Sequence, residues 1–285
     1  MPKGKTIQIY LPEGNPQGIK VCDINTSFVK AILIPRLKVN KLKDSKEISK
    51  DLEKPGIYFL INELDDLNTF EIYIGESENL FDRITKHDNT PDKEWNKVIC
   101  FLSDKGNINK AHCKFLEHHC YIESKEIDRV KVNNTNIPTP SSLTSQDRDL
   151  ALYFFDDLKF LLGTLGYPAI FEKIRSATQK DFFYCKNKDA DAKGSFLEEG
   201  GFVVYASSYA NLEISTTTTN PSLIVMRERL IAEGILKQEG NKLVFTQDFV
   251  FGSPSTAAAI VIGHNANGWF YWKTLNGETL DQLKR

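Results

Sequence analysis

The chain contains five cysteines, an odd count, and no two are spaced C-x-x-C. That pattern excludes a zinc-ribbon or thioredoxin-like motif and argues against a disulfide framework, so a reducing compartment is expected. Long apolar runs are missing as well. The longest, Ala257 to Ile262, falls far short of the roughly 20 apolar residues a spanning helix needs. Met1 to Tyr10 has no apolar stretch of the kind that opens a signal peptide. A cytoplasmic protein with no membrane association is therefore expected. There is no basic excess: the formal net charge is -2, with 26% charged and 41% hydrophobic residues. A nucleic-acid binder usually shows such an excess. Bulk charge thus lends that function no support, although a local basic strip or a bound metal would offset it. No internal repeat is visible. At 285 residues the chain is long enough for two ordinary domains and a sizeable core.

The punctuation of the chain outlines its elements. Thr6 to Leu11 and Ile19 to Ile24 read as a hairpin around a Pro/Gly-rich turn. Val29 to Ile34 is helix or strand. The charged stretch Lys38 to Lys54 leads to Gly56–Ile61, a continuous apolar run that suits a buried strand. Phe70 to Ile74 is its expected antiparallel partner. Ser77 reads as an N-cap, and Leu80, Phe81 and Ile84 as the apolar face of a short helix. Lys97–Ser103 reads as a third strand and Asn109–Lys125 as a helix. The segment from Asn133 to Leu143, rich in Asn, Pro, Ser and Thr, reads as a linker. Beyond it come a helical stretch to Leu162, strands near Phe182 and Gly201, and a polar loop at Thr216–Thr219. Ser222–Glu233 reads as a helix, Lys242–Thr246 as a strand, and Ser253-Pro254-Ser255 as the start of an alanine-rich helix. Trp269 to Lys273 reads as a final aromatic strand.

Two short tyrosine-bearing segments carry the functional signal: Gly56-Ile57-Tyr58 and Tyr73-Ile74-Gly75. Arg83 and His87 follow, four residues apart and hence on one side of a helix. Glu117 lies on the later helix. Together these residue types suit phosphodiester hydrolysis. A carboxylate holds a divalent metal as Lewis acid, an arginine matches phosphate oxygens bidentately, and a tyrosine or histidine relays the proton of an attacking water. Taken singly, each has an ordinary explanation, since tyrosines favour strands and Arg83 or Glu117 suits a solvated surface. The ordered set in strand–strand–helix–helix context is what points to chemistry.

That set resembles the GIY-YIG nuclease superfamily. The resemblance implies an α/β domain with a small, mainly antiparallel sheet of about three strands flanked by helices. It implies a metal-dependent endonuclease acting on DNA, with RNA as the other candidate substrate. Tyr58, Tyr73, Arg83, His87, Glu117 and Asn134 would form the site, with Asn133 and Asn136 competing for the last position. Glu117 would hold the metal, magnesium or else manganese. The spacing between the two tyrosine motifs is slightly longer than usual, and Glu76 stands where some members carry lysine. The pattern from Arg227 to Leu280, including Ser253-Pro254-Ser255 and Asn267-Gly268-Trp269, resembles a domain of unknown function. That domain recurs behind bacterial GIY-YIG nucleases and in restriction-modification proteins. It implies an accessory or target-recognition role, with homodimerisation and a restriction-modification partner as further expectations.

The resulting division is a β-hairpin extension over 1–48, a nuclease domain over 49–143, a helical linker over 144–166 and an α+β accessory domain over 167–285. Two rival readings remain. One is a non-catalytic nucleic-acid- or partner-binding protein on the same fold. The other is a zinc site on the helix bearing His112, Cys113, His118, His119 and Cys120. The aromatic run Gly268–Lys273 would suit either a base-stacking platform or a core strand.

Overall fold

The computed structural model describes residues 4–64, 69–90, 93–172, 182–197, 201–215 and 221–284. The polar loop expected at Thr216–Thr219 lies outside them. The described residues fall into two compact units, one ending at Glu172 and the other starting at Phe182. Each is built on its own sheet, and the architecture is mixed α/β.

The first unit opens with β1 (Ile7–Tyr10), β2 (Lys20–Ile24) and β3 (Val29–Pro35). A 3-10 helix (Arg36–Asp44) and α1 (Lys46–Leu52) lead to β4 (Gly56–Leu64) and β5 (Thr69–Ser77). Then come α2 (Leu80–Asp88), β6 (Lys97–Ser103), α3 (Lys110–Ile127), β7 (Lys131–Val132) and α4 (Ser145–Thr164). The strands align in the order β1-β2-β3-β6-β4-β5-β7, antiparallel except where β7 runs parallel to β5.

The sheet is buried on both faces, which is why β3, β4 and β6 are continuous apolar runs rather than alternating ones. Ile57, Phe59 and Ile61 pack against Leu116 of α3 and Phe154 and Leu158 of α4. Tyr58 and Leu60, on the other face, meet Leu42, Ile48, Leu80 and Ile84. Two expectations are corrected here. Among the described residues the sheet has seven strands rather than about three, because β3 pairs with β6 along its whole length and brings the N-terminal hairpin into the same sheet. Residues 1–48 are therefore not an extension. Nor is the stretch over 144–166 a linker: Phe154, Leu158 and Leu161 of α4 are fully buried in the core of this unit.

The second unit contains β8 (Phe183–Asn187), β9 (Ala190–Phe196), β10 (Phe202–Val204), β11 (Tyr209–Asn211) and α5 (Pro221–Ala232). It continues with β12 (Leu236–Glu239), β13 (Lys242–Phe245), β14 (Phe249–Phe251), α6 (Pro254–Ile262), α7 (Gly268–Tyr271) and α8 (Leu280–Lys284). Strand β9 is central. Its Gly194 pairs with Phe183 on one edge and Val204 on the other. Ser253 caps α6 by accepting from the Thr256 N–H. The expected aromatic strand is instead the helical turn α7. The Asn267 side chain accepts from the Trp269 N–H, and Trp272 drops into the core with its Nε1 donating to the Pro254 carbonyl. Phe270 is left half exposed.

All five cysteines are free and buried. Among the described residues no helix is long and apolar enough to cross a membrane. If α4 belongs to the first unit, Leu158→Ala should cost that unit about 2–5 kcal/mol by deleting a fully buried side chain. Urea denaturation followed by far-UV circular dichroism measures this, and a loss under about 0.5 kcal/mol would return α4 to the role of a connector.

Candidate active site

The two motif glycines are explained by what lies beside them. A Cβ at Gly56 would run into the Phe101 carbonyl and the Leu80 side chain. A Cβ at Gly75 would overlap the Tyr58 ring at Cζ and Oη. Tyr58 and Gly75 are paired across β4 and β5, so the phenol crosses the neighbouring strand where that strand has no side chain. Only glycine leaves this path open.

What the phenol meets there comes from α2. Leu80, Arg83, Ile84 and His87 form one stripe of this helix. Leu80 and Ile84 bury against the sheet, while Arg83 and His87 reach the Tyr58 hydroxyl. The cap of α2 differs from expectation. Asn79, not Ser77, accepts from the Asp82 N–H, and the Ser77 hydroxyl donates to the Asn79 carbonyl. Arg83 Nε donates to Tyr58 Oη at 3.0 Å, and Tyr58 Oη lies 2.9 Å from His87 Nε2. With the imidazole proton on Nδ1, the phenol donates to His87 and the bonds run in series from Arg83 through Tyr58. Tyr73 joins this group on the same face. Its ring lies 6.3 Å from that of Tyr58 and 5.8 Å from His87, and the Arg83 guanidinium also meets its hydroxyl. Tyr58 has no exposed surface, whereas Tyr73 is half-buried. Burial first, then Tyr73, pushes the Tyr58 phenol well above its ordinary range, with Arg83 opposing, so Tyr58 keeps its proton at neutral pH.

Glu117 reaches the group round the edge of the sheet. The outer edge of β5 presents the backbone groups of residues 72, 74 and 76. The Asn133 N–H donates to the Ile72 carbonyl. The Asn134 side chain accepts from the Ile74 N–H at 2.9 Å and donates to its carbonyl at 2.7 Å. The Glu117 carboxylate accepts from the Glu76 N–H. Asn134 thus continues the strand pairing where β7 ends, and both ends of its amide are engaged by Ile74. Asn133 bonds Glu71, and Asn136 is exposed. Burial first and the Glu76 carboxylate second push Glu117 up to about 7, against Arg83, the Glu76 N–H and Lys114. Tyr58, Tyr73, Arg83, His87 and Glu117 therefore sense one another, while Asn134 supports the edge they share.

Glu76, noted in the sequence only for standing where some members carry lysine, belongs to the site. It shares the parity of Ile72 and Ile74, which face α3, so it had to lie on the Glu117 side. One of its oxygens, Oε2, is buried with no hydrogen-bond partner. Two neighbouring carboxylates, one with an unpartnered oxygen, fit a divalent cation. Magnesium commonly takes one or two carboxylates and fills its remaining positions with water and substrate phosphate. Among the described residues no group of three or more His, Cys, Asp or Glu forms a protein-only metal cage. The histidines and cysteines of α3 do not converge. His112 belongs to the helix cap with Asn109, His118 Nδ1 meets the Pro138 carbonyl at 2.7 Å, and His119 stacks on Phe115. Burial, then Glu76, Glu78 and Glu117, pushes the Cys113 thiol up to about 12, which removes it as a nucleophile.

Residues 183–284 match a protein family described as a domain of unknown function, DUF4357. No curated protein and no solved structure matches the chain.

Two consequences are testable. Gly75→Ala should displace Tyr58 and break its bonds to Arg83 and His87, costing about 1–3 kcal/mol. Guanidinium denaturation with near-UV circular dichroism reads this, and a variant of unchanged stability and tyrosine signal would refute the packing argument. The second is a pH effect. Glu117 is held at about 7 in the folded protein against 4.5 ordinarily, so without metal its contribution to stability is lost as pH rises from 4.5 through 7. Glu117→Gln abolishes that loss. In EDTA it should gain stability relative to the parent between pH 5 and pH 8, and a constant difference across that range would contradict the raised value.

Proposed function

We propose that the first unit is a metal-dependent endonuclease of the GIY-YIG type that hydrolyses phosphodiester bonds in DNA. The observation that supports this reading is the convergence of Tyr58, Tyr73, Arg83 and His87 on one face of β4 and β5, with Glu117 reaching them round the open edge of β5. The rival reading, a non-catalytic binder on this fold, leaves the orphaned Glu76 oxygen without a purpose.

Each side chain then has a task. Arg83 binds the reacting phosphate through its terminal nitrogens, since its Nε is engaged by Tyr58. Tyr73, being half-buried, is the phenol that meets the attacking water. Tyr58, being fully buried, positions Arg83 and His87 and passes a proton between Tyr73's side of the cleft and His87. Glu117 and Glu76 would hold a divalent ion, magnesium or manganese, which when bound supplies Lewis-acid stabilisation of the phosphate charge. Asn134 holds the strand edge on which Glu117 depends. The second unit is assigned to target binding, because no comparable set of groups occurs among its described residues.

Glu117→Gln should abolish nicking of supercoiled plasmid in magnesium while leaving duplex binding in EDTA measurable. Normal nicking by this variant would overturn the site. Absence of metal-dependent nicking by the parent protein would favour the non-catalytic reading.

A further inference from the structure

Arg36 ties the end of α2 to the residues that lead into β6. Its Nε donates to Asp88 Oδ1 at 3.1 Å, and one terminal nitrogen donates to the Asp88 carbonyl at 3.3 Å. The other donates to the carbonyls of Lys93 and Trp95 at 3.3 and 3.4 Å. The guanidinium also stacks on the Trp95 ring, 4.8 Å from its centroid. One side chain therefore fastens the end of α2 to the start of β6, and it fixes the backbone at Lys93.

From that anchor Lys93 reaches the tyrosine cleft. Its ammonium sits 3.2 Å from the centroid of the Tyr73 ring. The same ring packs edge-on against His87. The ammonium forms no ion pair among the described residues, although other lysines of this unit do: Lys30 with Asp51 and Asp104, and Lys97 with Glu63. A cation with no carboxylate partner among the described residues, held on a half-buried phenol, is a point charge left available to an anion from outside. Its nearest aromatic contact is the face of Tyr73, whereas Arg83 addresses the hydroxyl. The two cations therefore approach the same tyrosine in different ways.

We propose that Lys93 is a DNA-binding residue of the cleft, taking a backbone phosphate of the strand whose reacting phosphate lies on Arg83. This rests on the endonuclease reading above. Lys93 holds substrate and takes no part in proton transfer, so its loss falls on binding and not on the rate of the bound complex.

The test uses the full chain and a fluorescein-labelled DNA duplex in EDTA, where binding is read by fluorescence anisotropy without cleavage. Each phosphate contact adds about 0.9 to the slope of log affinity against log salt concentration. Lys93→Met should bind more weakly and lower that slope by about 0.9, and Lys93→Arg should restore it. A lysine that only packs on Tyr73 would leave the slope alone. In magnesium, single-turnover cleavage at saturating Lys93→Met should proceed within about threefold of the parent rate. An unchanged slope in Lys93→Met, with a parent that binds and nicks DNA, overturns the Lys93 assignment alone. A parent that shows no salt-dependent binding to the duplex overturns the endonuclease reading and this assignment together. Matching far-UV spectra and urea midpoints for the three proteins show that the comparison concerns contacts and not folding.

Discussion

The missing side chain at Gly75 is the constraint on which the candidate site depends. Tyr58 is the largest side chain on its face of β4, and it sits in a buried sheet with nowhere to place a hydroxyl except across the adjacent strand. Gly75 is paired with it and leaves that path clear. Once there, the phenol is within hydrogen-bonding distance of both polar residues in the α2 stripe. The position of α2 is set independently, by burial of Leu80 and Ile84 against the sheet. Strand pairing, the glycine and helix packing thus agree on one location for the hydroxyl.

A second constraint acts at the other face. A strand edge that ends without a neighbour leaves backbone donors unpaired, and unpaired donors that are buried are costly. Strand β7 covers only Glu71 and Ile72 of β5. The next edge position is satisfied by the Asn134 amide and the one after by the Glu117 carboxylate. A negative group is thus drawn into a half-buried place beside Glu76, where two like charges repel. This arrangement is unfavourable for folding without a counter-ion, and such local cost is typical of functional sites.

Much of this was legible in the chain. The tyrosine strands, the four-residue spacing of Arg83 and His87, the third strand and the helix of Glu117 all follow local patterns that the structure preserves. The Ser253 cap and the alanine-rich helix are also local. What was not legible depends on distant partners. The N-terminal hairpin looks separate until β3 meets β6, a pairing over a long stretch of sequence. The helix at 145–164 looks like a connector until its apolar side finds the sheet. The run from Trp269 to Trp272 has the composition of a strand, but Asn267 caps it and Trp272 is claimed by Pro254. Lys93 carried no signal at all, because its position depends on the reach of Arg36 from the start of a 3-10 helix far back in the chain.

The weak negative charge of the whole chain is a poor guide to what this cleft would bind. Two cations, Arg83 and Lys93, line the tyrosine face, and two carboxylates, Glu76 and Glu117, line the sheet edge. With Glu117 pushed up to about 7 and so only partly ionised at neutral pH, the two cations slightly outweigh the carboxylates, and the bare cleft attracts a polyanion weakly. A divalent ion on the carboxylates would leave the cleft positive, at the place where a phosphodiester would lie. In the proposed reading, attraction for DNA is therefore local to the site and strengthened, not created, by the metal. A mean charge over the chain averages that contrast away.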